Sequence, residues 1–123
     1  MYCDDLDFSW RLRLQGYKII YNPKAVVYHA KNLSLNASWL PTQAEIYYSA
    51  EAALLLAYKW SNYVRVKKIL KQFEQQGGES EKKAAAEFRK RKEENRLPVP
   101  IDPEHKIGKF IEDEYCEMRF SVR

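Results

Sequence analysis

At 123 residues, with 46% apolar and 14% aromatic content, the chain is long enough for one domain with a modest core and too apolar to be disordered. A net charge of +4 against 31% charged residues does not mark a nucleic-acid binder, and no basic groove with interleaved aromatics occurs. Cys3 and Cys116 lie at opposite ends without metal-ligand spacing, which argues against a zinc module or a secreted disulfide framework and fits a reducing cytosol.

The start is acidic, so it lacks the basic and then apolar pattern of a signal peptide. The longest apolar-rich stretch, 50–60, contains Glu51 and Lys59 and is too short to span a bilayer. Asn32 and Asn36 match the glycosylation acceptor pattern, which has no meaning without secretion, and read as loop residues.

Residues 5–15 alternate strictly, with Leu6, Phe8, Trp10, Leu12 and Leu14 apolar, and by periodicity alone this is a strand. Helix is nevertheless expected. Acids cluster at one end and arginines at the other, as a helix dipole prefers; Leu6, Trp10 and Leu14 follow i, i+4 spacing; and Asp7 can pair with Arg11. Gly16 stands where a left-handed C-terminal cap falls.

Tyr17–Tyr21 and Ala25–Tyr28 read as two short strands joined by an Asn22-Pro23 turn. A polar loop follows to Leu40. Thr42 and Glu45 form a capping box for a helix from Gln43 to about Ser61, apolar nearly all round and so packed on more than one side. A break at Ser61-Asn62 leads to a basic amphipathic helix, 64–76. Its apolar stripe is Val66, Ile69, Leu70 and Phe73, with Lys67, Lys68 and Lys71 opposite, and Gly77-Gly78 ends it.

Residues 80–95 form a third helix of the segment, with little beyond Ala85, Ala86 and Phe88 to bury, and are expected on the surface. Its cations alternate with glutamates, the pattern of a solvated face. Pro98, Pro100 and Pro103 break helix, and 107–123 reads as an extended or short-strand tail. The fold class expected is mainly α with a small β element (α+β).

Asp4, Asp5 and Asp7 are the residues to which chemistry is first assigned. A carboxylate at the mouth of a pocket can take a proton from an attacking hydroxyl, whereas the plainer role of three acids here is to cap a helix. Asp5-Leu6-Asp7 also spells DxD, a metal and diphosphate signature too short to be specific. Trp10 and Arg11 suit either a binding site or a core residue and an ion-pair partner. His29 suits either a metal ligand or a hydrogen-bonded core imidazole. His105 reads as surface.

The order Asp4-Asp5-Leu6-Asp7, Trp10-Arg11, Gly16-Tyr17 and a run ending Tyr28-His29 resembles the stretch that closes the GT-A catalytic domain of family 2 glycosyltransferases. Asp4 stands where a glutamate is more usual. The resemblance implies that residues 1–40 end such a domain and that 41–123 are a helical C-terminal extension. The chain would then be a C-terminal fragment of a GT-A type α/β enzyme, with a nucleotide-binding half expected ahead of Met1.

The activity implied is inverting transfer of a sugar from a nucleotide-diphosphate donor to a glycan acceptor, in bacterial polysaccharide or cell-wall synthesis. Asp5 would be the base and Asp4 its neighbour, Trp10 and Arg11 would bind substrate, and His29 would complete a Mn or Mg site in the full-length enzyme. The fragment alone is expected to be inactive and to bind no cofactor. The setting implied is the cytoplasm, or the inner face of the membrane by peripheral association. No nucleic-acid partner is expected, and open strand edges would favour a homo-oligomer. The alternative is a non-enzymatic helical interaction module beginning at Thr42.

Overall fold

The computed structural model describes residues 3–28 and 41–108. Their regular structure is helical: α1 (Asp4–Leu14), α2 (Gln43–Lys59), α3 (Tyr63–Gln76) and α4 (Glu79–Glu93). His29, Cys116 and most of the extended tail lie outside the described residues.

Residues 5–15, poised between two periodicities, settle as helix. The stripe that faces inward is Cys3, Leu6, Asp7 and Trp10, while Phe8 and Leu14 from the alternating pattern stay exposed. Gly16 takes φ 88°, and the Gly16 and Tyr17 amides donate to the Arg13 and Leu12 carbonyls, closing the helix in a Schellman motif.

The two expected strands do not form: among the described residues there is no strand. Asn22 makes the anticipated turn, accepting from Lys24 N–H through its side chain and from Ala25 N–H through its carbonyl. A two-stranded ribbon is marginal by itself, and among the described residues no third strand or packed helix covers these runs.

At α2 the capping box is complete. Glu45 N–H donates to Thr42 Oγ1 at 3.2 Å, and Thr42 N–H donates to Glu45 Oε2 at 2.8 Å. Helix α2 indeed packs on two sides. Leu54 and Ala57 join Val66, Ile69 and Phe88 in one apolar cluster, and Leu56 and Trp60 join Cys3 and Trp10 in another.

The helix ends earlier than expected, at Lys59, because Ser61 adopts φ 60°. Asn62 N–H then reaches back to the Ala57 carbonyl at 2.8 Å, while Asn62 Oδ1 accepts Arg65 N–H at 3.0 Å and so caps α3.

Helix α4 is not the surface helix the composition suggested. It has the most extensive packing against α2, with Ala84, Ala85 and Phe88 buried and Ala86 exposed. Small side chains let two backbones approach, so Ala84 and Ala85 of α4 and Ala50 and Ala57 of α2, all buried, suit a close helix pair. Phe88 meets Tyr58 edge to face, with ring centroids 5.8 Å apart.

The α3–α4 link is as tight as this packing requires. A Cβ on Gly77 would lie 2.5 Å from the Phe73 carbonyl oxygen. Gly77 has φ −70°, so the glycine answers a close approach and not a left-handed cap.

Candidate functional site

The acidic motif sits on the first turn of α1, and its three carboxylates have different fates. Asp4 and Asp5 are exposed. Asp5 Oδ1 accepts the Leu6 amide at 2.9 Å, a bond within its own helix.

Asp7 turns inward. Its Oδ1 accepts Trp60 Nε1–H at 2.9 Å, and its Oδ2 accepts Lys59 Nζ at 2.6 Å and Arg11 Nε at 3.2 Å. It therefore ties α1 to the C-terminal end of α2, and the second acid of the DxD triplet is committed to structure.

Trp10 is buried and meets Trp60 edge to face, with centroids 5.2 Å apart and planes at 80°. The structure thus gives it a core position rather than a binding surface. Arg11 is half exposed, held between Asp7 and the face of Phe8, whose centroid lies 6.0 Å from its guanidinium carbon.

The residue around which this region closes is Trp60, fully buried, and sequence reasoning missed it. Its only signal was a tryptophan at the end of an alanine- and leucine-rich helix. Residues 99–108 wrap it. Ile101 N–H donates to the Lys59 carbonyl at 2.7 Å, and Ser61 Oγ donates to the Ile101 carbonyl at 2.8 Å.

Asp102 anchors that wrap. It is buried at φ 53° and accepts the amides of Lys106, Ile107 and Gly108 at 2.8, 2.8 and 2.7 Å. Burial alone would raise its pKa. The Gly108, Ile107 and Lys106 amides stabilise the anion more, and the net shift is downward. Gly108 is held so close that a Cβ there would lie 3.1 Å from Trp60 Cε3.

A second polar cluster lies between α2 and α4. Arg91 bridges Glu87 at 2.8 Å and Glu51 at 2.7 Å, and Tyr47 Oη donates to Glu51 at 3.3 Å. Burial, followed by the Glu51 charge, raises the Tyr47 pKa, while the hydrogen bond to Glu87 raises that of Arg91. These are part-buried contacts that join two packed helices.

Among the described residues no group of three His, Cys, Asp or Glu side chains could hold a metal ion, and no helix is long and apolar enough to cross a membrane. No family model, curated protein or solved structure matches the chain. What the geometry offers chemically is an exposed carboxylate, Asp5, on a helix pinned at Asp7 and Trp10.

Proposed function

We propose that the chain is the closing part of the GT-A catalytic domain of a family 2 inverting glycosyltransferase, followed by a helical extension. The observation that carries the reading is the division of labour in the acidic motif. Asp7 and Trp10 fix α1 against Trp60, which leaves Asp5 exposed on a helix of set orientation.

In this role the Asp5 carboxylate removes the proton from the acceptor hydroxyl as its oxygen attacks the anomeric carbon of a nucleotide-diphosphate sugar. The nucleoside diphosphate leaves from the opposite face, so the configuration inverts. Asp4 and Arg11, exposed on the same short helix, are the neighbours that could position the acceptor.

Two further features support the reading. The runs 17–21 and 26–28 expose their apolar side chains, from 50% at Ile19 to 94% at Tyr28, as strands would that belong to a sheet in the remainder of the enzyme. The helical extension meanwhile has its own core and buttresses α1 through Trp60.

The described residues do not by themselves form a metal site. The Mn or Mg ion of the full-length enzyme, with its nucleotide-sugar donor and glycan acceptor, is assigned to residues beyond those described, His29 among them. The setting proposed is bacterial polysaccharide or cell-wall synthesis in the cytoplasm.

The test is Asp5→Asn in the full-length enzyme. Sugar transfer should fall about 10²–10⁴-fold while donor binding is kept. A variant that transfers at the wild-type rate ends the proposal.

A second reading, a non-enzymatic helical interaction module, is favoured by the cluster of Leu54, Ala57, Val66, Ile69 and Phe88, which draws only on residues after Thr42. Deleting residues 1–40 separates the two. The module reading requires that α2–α4 then melt as in the full chain and keep a protein partner.

A further inference from the structure

Helix α3 carries a second surface that neither reading uses. Val64, Lys67, Lys68, Lys71 and Gln75 fall at i, i+3, i+4, i+7 and i+11, one stripe along the outside of the helix. All five are exposed, while Val66 and Ile69 on the opposite side are buried.

The run is densely cationic. Residues 63–73 contain four cations and no acid. The acid that follows, Glu74, is engaged at 2.6 Å by Arg89 of α4. On α4, by contrast, cations and glutamates alternate.

Two other features point outward from the same face. Val64, 61% exposed, places an apolar side chain at the head of the stripe, beside Tyr63 at 47%. A shallow depression of about 300 Å³ lies on the same face, lined among the described residues by Lys68, Lys71, Gln72, Gln75 and Gln76.

We propose that this face docks the chain on anionic lipid headgroups. A flat stripe of lysines headed by an exposed valine suits a bilayer surface, where the ammonium groups meet phosphates and the apolar side chain enters the interface. A nucleic-acid site that reads bases would call for an arginine fork or an aromatic stacking platform, and Val64, Lys67, Lys68, Lys71 and Gln75 supply neither. With no spanning helix among the described residues, the attachment assigned is peripheral and salt-sensitive.

Each lysine near an anionic surface raises partitioning roughly fivefold, so three give about a hundredfold. The full chain is floated with vesicles of phosphatidylcholine containing about one third phosphatidylglycerol, and with phosphatidylcholine alone. The expected result is binding to the anionic vesicles only, lost at high salt. It should fall about a hundredfold in a Lys67→Gln, Lys68→Gln, Lys71→Gln variant that keeps the wild-type helical spectrum.

A control variant, Lys82→Gln, Lys90→Gln, Lys92→Gln, carries the same change in net charge on α4 and should bind within about threefold of wild type. Equal losses in the two variants would mean a net-charge effect and overturn the proposal. So would equal binding to the two kinds of vesicle, or displacement of the protein from anionic vesicles by a single-stranded oligonucleotide.

Discussion

The α2–α3–α4 core and the region around Trp60 are stabilised by different means. The first is dry and apolar: Leu54, Ala57, Val66, Ile69 and Phe88 are buried together, and Ala50, Ala84 and Ala85 are buried as well. The second joins pieces with little secondary structure in common, α1 and the 99–108 segment, through one indole and two carboxylates. Apolar packing spreads its stability over many weak contacts. The polar pins concentrate it in a few bonds, each costly to break.

Trp60→Ala should have the largest effect, because it removes the indole that Asp7 and Trp10 hold and that Ile101, Ile107 and Gly108 pack around. A loss of about 3–5 kcal/mol by urea unfolding is expected, with α1 becoming protease-sensitive. A smaller loss confined to the α1 end would mean that the two regions unfold separately.

Asp102→Asn should follow, at about 2–3 kcal/mol, since an amide cannot accept from three converging N–H groups. This side chain also sets a pH dependence. Its pKa is lowered in the folded chain. Its contribution is therefore fully present above the unfolded value of about 3.9, and is lost as pH falls through the folded value. The Asn variant should lose less stability than wild type on acidification below about pH 4, as thermal melts across that range would show.

In the dry region the matching test is Gly77→Ala. A Cβ 2.5 Å from a backbone oxygen forces the α3–α4 turn to shift, with an expected cost of about 1–3 kcal/mol in chemical denaturation. Gly16→Ala sharpens it, because a Cβ there meets nothing within 4 Å and only the positive φ is strained, which costs about 1–2 kcal/mol.

Asp7→Asn should be milder still, about 1 kcal/mol, because the amide oxygen can still accept from Trp60 while the attraction to Lys59 and Arg11 is lost. Tryptophan fluorescence would report the change at Trp60 directly.

What was legible in the sequence was local. Leu6 and Trp10 are one turn apart, Thr42 and Glu45 complete each other within four residues, and Val66, Ile69 and Phe73 repeat at helical spacing, so short-range physics was enough to place these helices. The runs at 17–21 and 25–28 form no strand because strand propensity is a demand for a neighbour, and none is supplied by the described residues.

The α4 alanines carried no hydrophobic signal of their own, and they became core only because α2 lies close enough to cover them. The acidic motif was equally ambiguous. Sequence placed three carboxylates on one turn, but only the docking of α1 on α2 separated Asp7, paired with Lys59 and Trp60, from the exposed Asp4 and Asp5.

By itself, then, the sequence determined the helices, the Thr42–Glu45 and Gly16 caps and the charge on each face, because these depend on groups within a turn or two of one another. Tertiary structure decided which alanines are interior, what Trp60 gathers and which aspartate stays exposed, because those outcomes depend on residues some forty to fifty positions apart being brought into contact.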